Sequence, residues 1–165
     1  MKRLAVFFAL AFAECFSAQD FEYDESFPEM YVSPAVQVLM PQGGHSMRTL
    51  CGGAVRAGRY FSDALALEAE AAWLENCASL SARMLWHLHG WELIDSLFGY
   101  ERFDPFVAFG VRGWIEGDVG PALSVGGYYY LTNEWALRFD GEAVAGVDGD
   151  LQMLYSVSVG LQYSF

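Results

Sequence analysis

Eight ionisable side chains give the first indication of chemistry: Arg56, Glu68, Glu70, Arg83, Arg112, Arg138, Asp140 and Glu142. Each lies in a run that alternates with period two, on the face opposite the large apolar residues. Four are cations and four are anions, so a fold that gathers them can neutralise them. An unpaired charge shielded from water is expensive, which makes oppositely charged cross-strand pairs the expected arrangement. All four cations are arginine, whose planar fork serves several carboxylates at once. If residues 61–64 form a tight turn, Arg56 stands opposite Glu68. A similar register about a 75–79 loop sets Glu70 opposite Arg83.

Other reactive residues are sparse. His87 and His89 share a face at the end of one alternating run, but no third metal ligand is near in sequence. His45 and Ser46 sit together in a Gly-rich loop, as a base and nucleophile would, without a recognisable acid partner or oxyanion-hole signature. Solvated or interfacial histidines are the expectation, with no catalytic residue, metal or cofactor. Cys51 and Cys77 can form a disulfide in an oxidising compartment, or stand as two thiols; spacing does not fix their geometry.

The elements that must carry these residues are strands. Alternation runs through 30–40, 50–60, 65–74, 80–89, 105–115, 122–131, 135–143 and 151–165. Pro34 cannot donate to a ladder, so a bulge or local break is expected in the first. Loops fall at 41–49, 75–79, 116–120 and 145–150, with turns at 61–64 and 132–134. Between residues 89 and 104 the period changes, and Trp91, Ile94, Leu97 and Phe98 have the spacing of one or two helical turns. The last run reads Leu151, Met153, Tyr155, Val157, Val159, Leu161, Tyr163, Phe165 on one face and mostly Ser, Gln and Gly on the other. Such a strand would invite aggregation in water, but it fits a wall between lipid and a polar lumen.

Composition agrees. Hydrophobic residues make up 54% and aromatics 16% of 165 residues, yet no run approaches the ~20 apolar residues of a helical membrane span. Met1-Lys2-Arg3 followed by an apolar stretch to Ala13 reads as a signal peptide within residues 1–18, cleaved between 13 and 18. Residues 19–29 are an acidic leader, and 30–165 form one domain. Cleavage after Ala18 leaves 7 basic and 20 acidic residues, which excludes the basic footprint of nucleic-acid binding. Eight amphipathic strands of ~9–11 residues, an even number, predict an all-β fold: an antiparallel up-and-down transmembrane β-barrel. Aromatics near strand ends predict interfacial girdles of Tyr60, Phe61, Trp86, Trp91, Trp135, Tyr163 and Phe165 at one edge and Trp73 and Trp114 at the other.

The signal peptide, the eight strands, the turns at Arg59-Tyr60-Phe61-Ser62-Asp63 and Tyr130-Leu131-Thr132-Asn133-Glu134-Trp135, and the final YSVSVGLQYSF resemble the OmpA-type small outer-membrane β-barrels of Gram-negative-type envelopes. The resemblance spans the mature chain and is most specific in the last strand, where Tyr163 and Phe165 resemble the signal read by the barrel assembly machinery. It implies outer-membrane localisation, both termini in the periplasm, a lipid bilayer as surroundings, and periplasmic chaperones and the assembly machinery as partners. It also implies an envelope-integrity role without catalysis. The chain departs from the pattern in its short outer loops and in its longest connection, 89–104, which would be periplasmic.

Two lumen chemistries follow: a plug of salt bridges or a gated ion path. The plug is expected, because side chains about fill an eight-stranded barrel. A small pore or an adhesin-like surface binder is the alternative. A lipid-modifying enzyme would need His45 or Ser46, and a soluble lipocalin-like carrier would need the opposite polarity, apolar inside and charged outside.

Overall fold

The computed structural model describes residues 30–42, 49–75, 77–88, 103–115, 117, 119–146 and 153–165. The expected signal peptide, acidic leader, His45, Ser46, His89 and the helical turns around Trp91 lie outside the described residues.

Eight antiparallel strands close into a barrel in chain order: β1 Met30–Gln42, β2 Leu50–Tyr60, β3 Leu65–Leu74, β4 Cys77–His87, β5 Phe103–Trp114, β6 Val119–Tyr130, β7 Trp135–Ala145 and β8 Met153–Ser164. The predicted fold class is therefore the observed one. Closure joins β8 to β1, and Met30 and Phe165 exchange backbone N–H···O bonds of 3.1 and 2.9 Å. Both chain ends of the barrel thus share one rim with the turns after β2 and β6 and with the end of β4, here called the terminal rim.

The turns correct the predicted register. Tyr60 pairs with Ala66, and the turn closes through Phe61 N–H to the Leu65 carbonyl at 2.8 Å. This is wider than a tight turn at 61–64, so Arg56 stands opposite Glu70, and Glu68 stands opposite Gly58. At the other rim the error has the opposite sign. Leu74 pairs directly with Cys77, with Glu75 at φ 52°, so residues 77–79 belong to β4 rather than to a loop. Arg83 therefore faces Glu68, and Glu70 faces Ser81.

Pro34 produces a break without a bulge. The β1–β8 rungs Tyr31–Ser164 and Val32–Tyr163 are followed by Ala35–Gly160 in unchanged register, and the two rungs between them are missing. On its other side β1 pairs with β2 without interruption through Ser33–Arg56 and Pro34–Val55.

Period-two alternation survives around the whole wall. Val36, Leu80, Leu123, Val125 and Val159 face outward and are exposed, whereas all eight predicted strand charges face inward and are buried. That is the reverse of a soluble carrier, whose apolar residues line the interior. Trp73 and Trp86 stand on the outside near opposite rims, as expected for girdles. Tyr60 does not: it points into the lumen and is 2% exposed, because its position in β2 shares the parity of Arg56.

Candidate functional site

The lumen is built in three tiers. At the terminal rim Tyr31, Tyr60, Leu85, Phe106 and Tyr128 pack into an apolar cluster with small alanines. Near the other rim Leu39, Leu74, Ala122 and Val144 are buried. Between these tiers lie the charges.

Every predicted member of the charge set joins one network. Arg83 is its hub: Nη2 donates to Glu68 Oε1 at 2.6 Å and Glu70 Oε2 at 3.0 Å, and Nη1 donates to Glu142 Oε2 at 2.8 Å. Arg56 Nε donates to Glu70 Oε2 at 2.6 Å, and its Nη2 reaches Asp140 Oδ2 at 3.2 Å and Ser158 Oγ at 2.6 Å. Arg112 binds Glu142 through Nε at 2.6 Å, Ser79 Oγ at 2.8 Å, and also Glu70. Arg138 pairs with Glu68 and with Asp140 Oδ1 at 3.3 Å. Each carboxylate meets at least two arginines, so the arrangement is neutral and closed on itself. Taking these charges out of water is repaid only by such multiple pairing, and two of the arginine nitrogens, Arg56 Nη1 and Arg83 Nε, still have no hydrogen-bond partner among the described residues.

The expected Arg56–Glu68 partnership is replaced by Arg56–Glu70 because of the wider turn. The expected Glu70–Arg83 contact does form, but diagonally, since Arg83 lies opposite Glu68 and is long enough to reach both.

Several participants were not anticipated. Tyr31 donates its hydroxyl to Glu68 Oε2 at 2.7 Å. It does so by lying across Gly58, where an added Cβ would fall 2.2 Å from the Tyr31 ring. Gly58 is the Cα partner of both Tyr31 and Glu68, so a glycine there opens the shortest path between them. The signal was present in the parity of Tyr31, but the need for a flat surface opposite it appears only once the strands are paired. Arg138 also stacks over Phe106 and Tyr128, at 5.0 and 5.3 Å from the ring centroids. This cation–π contact joins the charged tier to the aromatic tier.

His87 corrects the expectation of a solvated histidine. It faces inward at 2% exposure, bonded through Nδ1 to Asp104 Oδ2 at 2.6 Å and stacked on Tyr128 at 5.5 Å. Asp104 also accepts from the Tyr130 hydroxyl at 3.3 Å. Asp104 escaped the sequence reading because β5 begins at Phe103, ahead of Pro105; its parity with Phe106, Ala108 and Arg112 marks it as a lumen residue.

No disulfide joins Cys51 and Cys77. Cys51 lies on the outer face of β2 with Val55, while Cys77 has the inward parity of Ser79 and Ser81 on β4. The sheet itself separates the two thiols, and a bridge needs Cβ atoms that point toward each other. At the terminal rim Tyr163 and Phe165 form an outer aromatic row with Trp135, at centroid distances of 4.8 and 5.9 Å along it.

Among known proteins, no family model and no curated sequence matches the chain. Solved structures do match. Neisserial surface protein A aligns with TM-score 0.65 at 11% identity, covering 82% of this chain and 97% of that one. The outer-membrane protein OprG of Pseudomonas aeruginosa gives 0.59 at 10% identity, with 86% and 99% covered. A de novo designed transmembrane β-barrel gives 0.62 at 14% identity, with 84% and 97% covered. At these identities the likeness is one of fold, and the fold shared is that of the small eight-stranded membrane barrels.

Proposed function

We propose that the chain is an integral outer-membrane barrel with a structural, envelope-integrity role, its lumen plugged by the Arg/Glu/Asp network. One observation carries this reading: large apolar residues face outward on every strand, while the eight buried charges of β2, β3, β4, β5 and β7 neutralise one another between two apolar tiers. Lipid satisfies the outer face, and barrel closure satisfies the backbone. The reading includes export by the signal peptide, a periplasmic terminal rim, delivery by periplasmic chaperones, and recognition of Tyr163 and Phe165 by the assembly machinery. It includes no catalysis. The fold is also that of neighbours with other roles, such as the outer-membrane enzyme PagL (TM-score 0.51, 15% identity), so fold alone does not carry the function.

The test has two steps. Membrane fractions should contain a species whose gel migration changes on boiling, as a closed detergent-stable barrel requires; recovery in the soluble periplasm would refute the membrane reading. The purified barrel in a planar bilayer should then show no steady conductance. A conductance abolished by charge changes at Arg83 or Glu70 would make the network an ion path.

A further inference from the structure

The break at Pro34 coincides with a group of buried polar atoms that have no hydrogen-bonding partner among the described residues: Ser33 Oγ, Arg56 Nη1 and Gln162 Oε1. They come from three neighbouring strands. Ser33 is the Cα partner of Arg56 across the β1–β2 ladder, and the unchanged β1–β8 register puts Gln162 opposite Ser33 at one of the two missing rungs. All three residues are fully or almost fully buried and face the lumen.

The backbone adds a fourth group. Met30 and Phe165 exchange both their bonds, so in an antiparallel pair every second rung from there is hydrogen-bonded, which includes 32–163 and 34–161. Proline has no N–H, so the Leu161 carbonyl at that rung receives no bond from Pro34. A carbonyl enclosed between two strands, with apolar side chains on the outer face, needs another donor.

We propose that this seam holds a buried structural water, bound by Ser33, Arg56, Gln162 and the Leu161 carbonyl. The donor and acceptor balance suits one water molecule. Arg56 Nη1 and the Ser33 hydroxyl offer protons to its oxygen, and Gln162 Oε1 and the Leu161 carbonyl accept its two hydrogens, the tetrahedral set of a tightly held internal water. An anion would face two acceptors, and a metal cation would face the Arg56 guanidinium, so neither fits. The water takes the place of the lost rung, and it makes the β1–β8 closure depend on a hydrated joint rather than on a continuous ladder. Gly160 permits the close approach beside it: a Cβ there would lie 2.5 Å from the Pro34 carbonyl oxygen.

The test is solution NMR of the isotope-labelled, full-length barrel in detergent micelles, measuring water-to-amide cross-peaks and amide exchange. The wild type should show a long-lived water close to the Leu161 and Gln162 amides, and Ser33→Ala should weaken those cross-peaks by about fivefold or more, the effect of one lost hydrogen bond. Pro34→Val, which restores the donor, should displace the water and slow amide exchange in the missing rungs by about fivefold or more. Absence of a long-lived water in the wild type overturns the proposal. So do cross-peaks unchanged in Ser33→Ala, which decides the question alone if Pro34→Val fails to fold.

Discussion

At the scale of single residues, the lumen depends on shared partners rather than on isolated pairs. Arg83 meets three carboxylates, Glu68, Glu70 and Glu142, all almost fully buried. Arg83→Ala should therefore cost about 3–5 kcal/mol in urea unfolding from lipid vesicles, because it leaves uncompensated buried charge. Arg59→Ala, on the exposed outer side of the same barrel, should cost less than about 1 kcal/mol. Equal effects would mean that the network is not the stabilising unit. A second expectation concerns Gly58. Gly58→Ala forces the Tyr31 ring away from Glu68 and should cost about 1–3 kcal/mol. The loss should shrink in a Tyr31→Ala background, since the two changes act on one contact.

The strands matter as carriers of two faces. On β6, Val125 is outward and 59% exposed, while its neighbour Ser124 points inward and bonds Glu142. If lipid covers the outer face, Val125→Arg near the middle of the strand should destabilise the folded barrel by about 2–4 kcal/mol, and the same change at Phe165, on the rim, by no more than about 1 kcal/mol. Vesicle refolding titrations compare the two, and a position-independent cost would argue against a bilayer around the wall. β1 and β8 differ from the other strands in having a seam with missing rungs at Pro34. β8 also carries no charge on its lumen face, offering Ser156, Ser158 and Gln162 instead. Of these, Ser158 ties it into the network through Arg56 and Asp140. Its contribution is closure and hydrogen bonding, while β7 beside it carries Arg138, Asp140 and Glu142.

For the molecule as a whole, closure turns one curved sheet into an inside and an outside that side chains do not cross. Cys51 and Cys77 follow from that geometry. In the folded, air-oxidised protein they should remain unlinked to each other, so that digestion without reductant yields no peptide pair joined through Cys51 and Cys77. A Cys51–Cys77 bridge found by peptide mapping would require a different pairing of β3 with β4. The three lumen tiers, aromatic, charged and aliphatic, are likewise a property of the closed form. Arg138 joins two of them by pairing with Glu68 while stacking over Phe106.

By itself the sequence determined the strand count, the all-β barrel class, and which side of the wall each of the eight charges occupies. Period two is enforced by the pleat, so a residue's face can be read from parity without knowing its neighbours. The partners were beyond its reach. Register depends on how many residues each turn consumes, and errors of opposite sign at 61–65 and 75–76 moved Arg56 from Glu68 to Glu70 and Glu68 to Arg83. Diagonal contacts across the lumen, such as Arg56 to Asp140 and Arg138 to Glu68, join residues 70 or more positions apart and exist only because the sheet closes. The burial of His87 against Asp104, and the flat bed that Gly58 offers Tyr31, were likewise decided by tertiary structure. Both need strands to be paired before any residue has a neighbour to answer.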